Sequence, residues 1–183
     1  MNWRKAILAV VLLIPAFWLL SQGFGTDPHA IPFVLENKPA SPFVLPTLDG
    51  KSFDLTAQRG KPVVLNFWST WCVPCKEEYP VLKNMAEQHG KSVIFAGIVY
   101  QDTPEAAKLF IEKFPLPFPQ LIDAGSKVAM DHGVTGVPET LFIDAKGNIR
   151  RKHSGALTIE SMQAGLAVIA LDPRVREDDG GKK

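Results

Sequence analysis

Two stretches in the middle of the chain are apolar at almost every position. Pro62–Trp68 and Val93–Val99 are short and β-prone, the pattern of strands buried on both faces. Between them Lys76–Gln88 changes period, with Tyr79, Leu82, Met85 and Ala86 on one side of a predicted helix. Upstream, Pro42–Leu48 reads as a short edge strand, and the hairpin signal Asp49-Gly50 leads into Ser52–Leu55. Gln58–Lys61 is a turn. Downstream, Thr103-Pro104-Glu105 opens a helix with proline at its first position, continuing through Ala106, Leu109, Phe110 and Phe114. Pro115–Pro119 breaks it, and Leu121–Asp123 is a short extended piece. Lys127–His132 gives one or two helical turns ended by Gly133. Thr140–Asp144 is a strand that turns through Ala145–Asn148 into Ile149–His153. Thr158-Ile159-Glu160 starts a last helix with Met162, Leu166 and Ile169 inside. There is no internal repeat. These elements predict an α/β protein whose mixed sheet is flanked by helices and extended by an N-terminal β-hairpin.

The ends of the chain do not follow these periods. Arg4 and Lys5 precede an uncharged stretch, Ala6–Gly25, whose apolar part Ala6–Leu20 lacks a polar face. With Ser21–Gly25 it reaches the roughly 20 residues of a membrane span, with Trp3 and Trp18 near the interfaces. A cleaved signal peptide is the competing reading, although no Ala-x-Ala site is present. Either places the remainder outside the cytoplasm. The expected organisation is an anchor or signal over 1–25, a linker over 26–38, one domain over 39–171 and a disordered tail over 172–183.

Composition narrows the chemistry. The 183 residues, 46% of them hydrophobic, suit one domain plus extras, and a net charge of +1 with no basic run argues against nucleic acid. The four histidines are scattered and read as surface residues, so no metal site is assigned. The two cysteines are Cys72 and Cys75, which excludes a disulfide framework, a four-cysteine zinc site and a lipoprotein anchor. Lys76 stands where haem attachment needs histidine. A structural disulfide would close too small a loop to constrain the unfolded chain. Copper held by two thiolates stays open as the alternative to redox chemistry.

Redox exchange has what it needs at this position. Cys72 falls where a strand gives way to a helix N-terminus, whose free N–H groups and dipole favour a thiolate. Pro74 fits the first helical turn without losing a hydrogen bond. Cys75, one turn on and expected to be the more buried of the pair, can resolve a mixed disulfide. Trp71 either covers one side of the site or belongs to the core.

Trp71-Cys72-Val73-Pro74-Cys75 after an apolar strand, with Gly136-Val137-Pro138-Glu139-Thr140 before a later one, resembles the thioredoxin superfamily. Within it the chain is most similar to the membrane-anchored, TlpA-like reductases of cytochrome c maturation, the DsbE or CcmG type, over Pro39 to about Ala170. The resemblance implies a thioredoxin-like fold and a redox-active Cys72–Cys75 disulfide. It implies that Pro138 is a cis-proline facing the cysteines, that Val137 offers backbone to a substrate chain, and that Pro80 interrupts the helix. Thioredoxins proper carry a buried aspartate where this chain has Asn66, and the resemblance transfers the acid roles to Glu78 and Glu139. A solvated helix position is the alternative for Glu78. A carboxylate near Cys72 would disfavour its thiolate and make the pair a reductant.

The function implied is a protein-disulfide reductase with no cofactor, anchored as a single-pass protein of the inner membrane with its domain in the periplasm. Its substrate would be apocytochrome c, and its electron donor a membrane protein of DsbD or CcdA type. The protein itself would act as a monomer. A reductase for another target, such as a copper-centre protein, and a copper metallochaperone are the competing functions. The tail departs from the family pattern.

Overall fold

The apolar runs become the centre of a five-stranded sheet in the computed structural model, which describes residues 3, 13, 14 and 33–170. Strand β3 (Val63–Trp68) is its middle, paired in parallel with β4 (Ile94–Val99) and antiparallel with β6 (Glu139–Ile143). β5 (Gln120–Ile122) adds to β4 in parallel, and β7 (Ile149–Ser154) to β6 antiparallel, giving the order β5-β4-β3-β6-β7. Val64 lies in register with Phe95 and Phe142, so one face of the sheet presents a continuous apolar row. Helices α1 (Val73–His89) and α4 (Ile159–Ala170) cover it with Leu82, Met85, Met162, Leu166 and Ile169. The alternate residues Leu65, Phe67, Leu141 and Ile143 are fully buried as well. This two-sided burial explains why the strands read as apolar runs without alternation.

The N-terminal hairpin forms as expected but is shorter: β1 (Val44–Pro46) pairs antiparallel with β2 (Ser52–Asp54). Gly50, at φ 81°, takes the left-handed position of its turn. The hairpin adjoins the sheet edge through a bridge between Thr47 and Leu121 and through Leu48 N–H donating to the Gln120 carbonyl at 2.8 Å. That contact carries Leu48 toward the cysteines.

Helix α2 (Pro104–Lys113) starts at Thr103, whose hydroxyl accepts from Ala106 N–H. It is less buried than its apolar residues suggest. Ala107 is its one fully buried residue, while Leu109 and Phe114 face outward. Helix α3 (Lys127–Asp131) is held at its start by Asp123, which accepts from Val128 and Ala129 N–H.

His132, at the end of α3, corrects the expectation of surface histidines. It is fully buried, with its ring edge-on to Phe43 and Nδ1 2.8 Å from the Val128 carbonyl oxygen. Burial disfavours the imidazolium and holds His132 below the ordinary histidine range. Within the expected linker, Asn37 and Lys38 exchange backbone hydrogen bonds with Ile149 at 2.6 and 2.9 Å.

The chain divides into two units, Met1–Phe33 and Val34–Lys183. In the first, Trp3, Leu13 and Ile14 are helical. Among the described residues no helix is long and apolar enough to cross a membrane. Apart from Trp3, Leu13 and Ile14, the anchor or signal expected over 1–25 lies outside them, as do most of the linker and the tail expected over 172–183.

Candidate active site

The site sits where β3 ends and α1 begins. Helix α1 starts at Val73, three residues earlier than the apolar period suggested, because Cys72 acts as its N-cap. The Cys72 Sγ accepts from Cys75 N–H at 3.1 Å, the contact an N-cap serine oxygen would make. Pro74 occupies the first turn as expected, and Pro80 stands inside the helix. Cys72 and Cys75 are joined in a disulfide with Cα atoms 5.3 Å apart. Their helix-terminal position favours the Cys72 thiolate once the bond is reduced.

Cys75 is not the more buried partner. Cys72 is 4% exposed and Cys75 7%, because both sulfurs enter an apolar cluster with Trp68, Val99 and Ala107. Leu48 from the hairpin, Phe110 and Ile111 from α2, and Val137 pack around it. Trp71 is 57% exposed, which removes the reading of it as a core residue. Its indole N–H donates to the Gln101 carbonyl at 3.2 Å. The preceding Thr70 is clasped by Asp102, whose Oδ2 accepts from Thr70 N–H at 2.7 Å and from its hydroxyl at 2.6 Å. The loop after β4 therefore holds the loop that carries the cysteines.

Asn66 and Glu78 meet between β3 and α1. Glu78, one helical turn after Cys75, is 1% exposed, which removes the solvated alternative. Asn66 Nδ2 donates to Glu78 Oε1 at 2.8 Å and to Thr140 Oγ1 at 3.0 Å, as the β3–β6 register demands by placing Asn66 opposite Thr140. Leu157 N–H donates to Glu78 Oε2 at 2.9 Å. Burial pushes the Glu78 carboxyl up from 4.5 to about 7, against these two hydrogen bonds, which act the other way. A carboxyl there can take or give a proton near neutral pH.

Glu139 has a different setting. The Val137–Pro138 bond is cis, as expected, and Glu139 follows it as the first residue of β6. Its carboxylate is also buried, but a cation pairs with it. Lys152 Nζ lies 2.7 Å from Oε2. Thr135 donates to it from its N–H at 3.3 Å and its hydroxyl at 2.9 Å, and Ser154 from its hydroxyl at 3.3 Å. Val137 thus packs against the cysteine cluster, while the Glu139 carboxylate is engaged with its own loop and β7. The sequence reading did not single out Lys152 or Asp102. Lys152 stands on a strand whose burial does not alternate, and Asp102 in an irregular loop, so neither carried a sequence signal.

Comparison with known proteins places this geometry in a family. Residues 37–152 match the model of the AhpC/TSA family. The chain belongs to that family. The chain is similar to a thiol:disulfide interchange protein DsbE of Pseudomonas fluorescens biotype C, 40% identical over 159 residues that cover 85% of this chain and 86% of the relative. The thiol-disulfide oxidoreductase ResA of Bacillus cereus is 32% identical over 166 residues, 90% of this chain and 94% of the relative. Among solved structures, a secreted Mycobacterium tuberculosis disulfide oxidoreductase homologous to E. coli DsbE superposes with a TM-score of 0.63. That match has 30% identity and covers 68% of this chain and 94% of the other. This AhpC/TSA-family chain has the thioredoxin-like fold and is a thiol:disulfide oxidoreductase of the DsbE/ResA type.

Proposed function

We propose that this oxidoreductase works as a reductant of protein disulfides outside the cytoplasm, with apocytochrome c haem-attachment cysteines as its substrate. The observation that carries the direction of exchange is Glu78. A carboxyl buried one turn from Cys75, with no ion pair to it among the described residues, works against negative charge on the cysteines, which favours giving electrons away. The family resemblance supplies the substrate, and Arg4 and Lys5 before the uncharged Ala6–Gly25 support an anchor with the domain in the periplasm.

In the reducing direction the Cys72 thiolate attacks one sulfur of the substrate disulfide. A Cys72–substrate bond forms, and the other substrate sulfur leaves as a thiolate. Glu78 takes the Cys75 proton, and the Cys75 thiolate attacks Cys72 Sγ. The Cys72–Cys75 disulfide forms, the second substrate thiolate leaves, and two electrons have passed to the substrate. Val137 offers its backbone to the substrate chain, and Trp71 flanks it. A dithiol donor of DsbD or CcdA type returns the pair to its reduced form.

The Cys75→Ser variant tests this directly. The reading predicts that it accumulates substrate proteins as mixed disulfides through Cys72, apocytochrome c among them, and that Cys72→Ser accumulates none. Recovery of copper with the protein and of no mixed disulfide would overturn it in favour of a metallochaperone.

A further inference from the structure

Both ends of the loop Gly133–Glu139 meet at one ammonium group. Lys152 on β7 donates from Nζ to the Gly133 carbonyl at 2.7 Å and pairs with Glu139 Oε2 at 2.7 Å. The register explains how it reaches. Ser154 stands opposite Glu139, so Lys152, two residues earlier, lies diagonal to Glu139 on the same face. Its side chain is only 10% exposed, so this is an internal tie and not a surface ion pair. The rest of the loop is drawn to the same centre, since Thr135 bonds Glu139 through both its N–H and its hydroxyl. The Pro138 carbonyl is fixed separately by Gly155 N–H at 2.9 Å. Val137, between these ties, packs its side chain against the cysteine cluster.

We infer that Lys152 is a positioning residue for protein substrates: it locks the base of the Gly133–Glu139 loop so that Val137 is held ready beside the disulfide. The inference rests on the reading that Val137 takes up the substrate chain. Without the ammonium, Glu139 is left buried with no cation, and the Gly133 carbonyl loses its donor. The loop must then be ordered at the moment a chain binds, and that entropy is subtracted from affinity. The sulfur chemistry is untouched, because Lys152 acts on the loop and not on the thiols. A small disulfide that needs no loop would not notice the change.

The full chain in its reduced form, with Lys152→Met, Lys152→Arg and the double variant Glu139→Gln/Lys152→Met, separates these effects. The substrates are an extended peptide with an internal CxxC disulfide and hydroxyethyl disulfide. For Lys152→Met the KM for the peptide should rise about tenfold or more, with kcat and the rate on hydroxyethyl disulfide within about twofold. Lys152→Arg should restore the KM, since a guanidinium can serve both acceptors. The double variant buries no unpaired charge, so it keeps the test decisive if Lys152→Met does not fold, and it should show the same rise in KM. An unchanged peptide KM in the double variant would overturn the lock. So would equal slowing on both substrates, or a displaced Cys72 thiol titration, which would put the pair's effect on sulfur instead of on the loop. A wild-type protein with a peptide preference that survives both changes removes the lock alone. A wild-type protein with no peptide preference removes the Val137 reading as well.

Discussion

Two buried glutamates follow the two motifs of one site, Glu78 after Cys75 and Glu139 after Pro138, and their surroundings give them opposite characters. Glu139 has an ammonium and three further donors, so its charge is answered locally. Glu78 has an amide and a backbone N–H but, among the described residues, no paired cation, so burial dominates and raises it to about 7. This carries a consequence for stability. Below pH 4.5 the group is protonated in both the folded and the unfolded chain. Between 4.5 and about 7 the unfolded chain releases a proton that the folded one keeps, so stability falls as pH rises and levels off above that window. A group moved from 4.5 to about 7 accounts for roughly 3 kcal/mol over that interval. Glu78→Gln mimics the protonated acid. Urea unfolding from pH 4 to pH 8 should show the wild type losing that increment relative to the variant, and parallel curves would contradict it. The same variant should slow disulfide exchange at neutral pH by about 100-fold or more if Glu78 carries the Cys75 proton.

At the scale of elements, the central strands were legible because burial on both faces leaves almost no polar position to confuse the pattern. Val63–Trp68 and Ile94–Val99 fall within a residue of their expected bounds, and the mostly polar edge strand Ile149–Ser154 was marked by the turn that precedes it. What the sequence hid depended on contacts between distant segments. His132 reads as polar, yet Phe43 from the far end of the domain covers it. Cys72 reads as the exposed thiol, yet Leu48 and Val137 close over the pair from two other elements. Leu109 and Phe114 read as core, yet α2 turns a narrower face inward around Ala107. Gly165 lets α4 approach β6. A Cβ there would collide with the Phe142 ring, which is fully buried and cannot move aside. Gly165→Ala should cost about 1–3 kcal/mol through overpacking despite alanine's better helix propensity, read as a lowered midpoint in thermal unfolding.

For the whole molecule, the architecture brings five separate parts of the chain to one disulfide. The hairpin turn supplies Leu48, the end of β3 with the start of α1 supplies Trp68 and the cysteines, β4 supplies Val99, α2 supplies Ala107 and Phe110, and the loop before β6 supplies Val137. The helix N-terminus favours the Cys72 thiolate, which alone would make the pair oxidising, whereas the buried Glu78 opposes it. The central claim is that the balance falls on the reducing side. The direct measurement is the reduction potential of the Cys72–Cys75 couple, obtained by equilibrating the full chain with defined thiol–disulfide buffers. A value near the thioredoxin end of the scale, about −270 mV, is the predicted result, and a value near that of DsbA, about −120 mV, would contradict it.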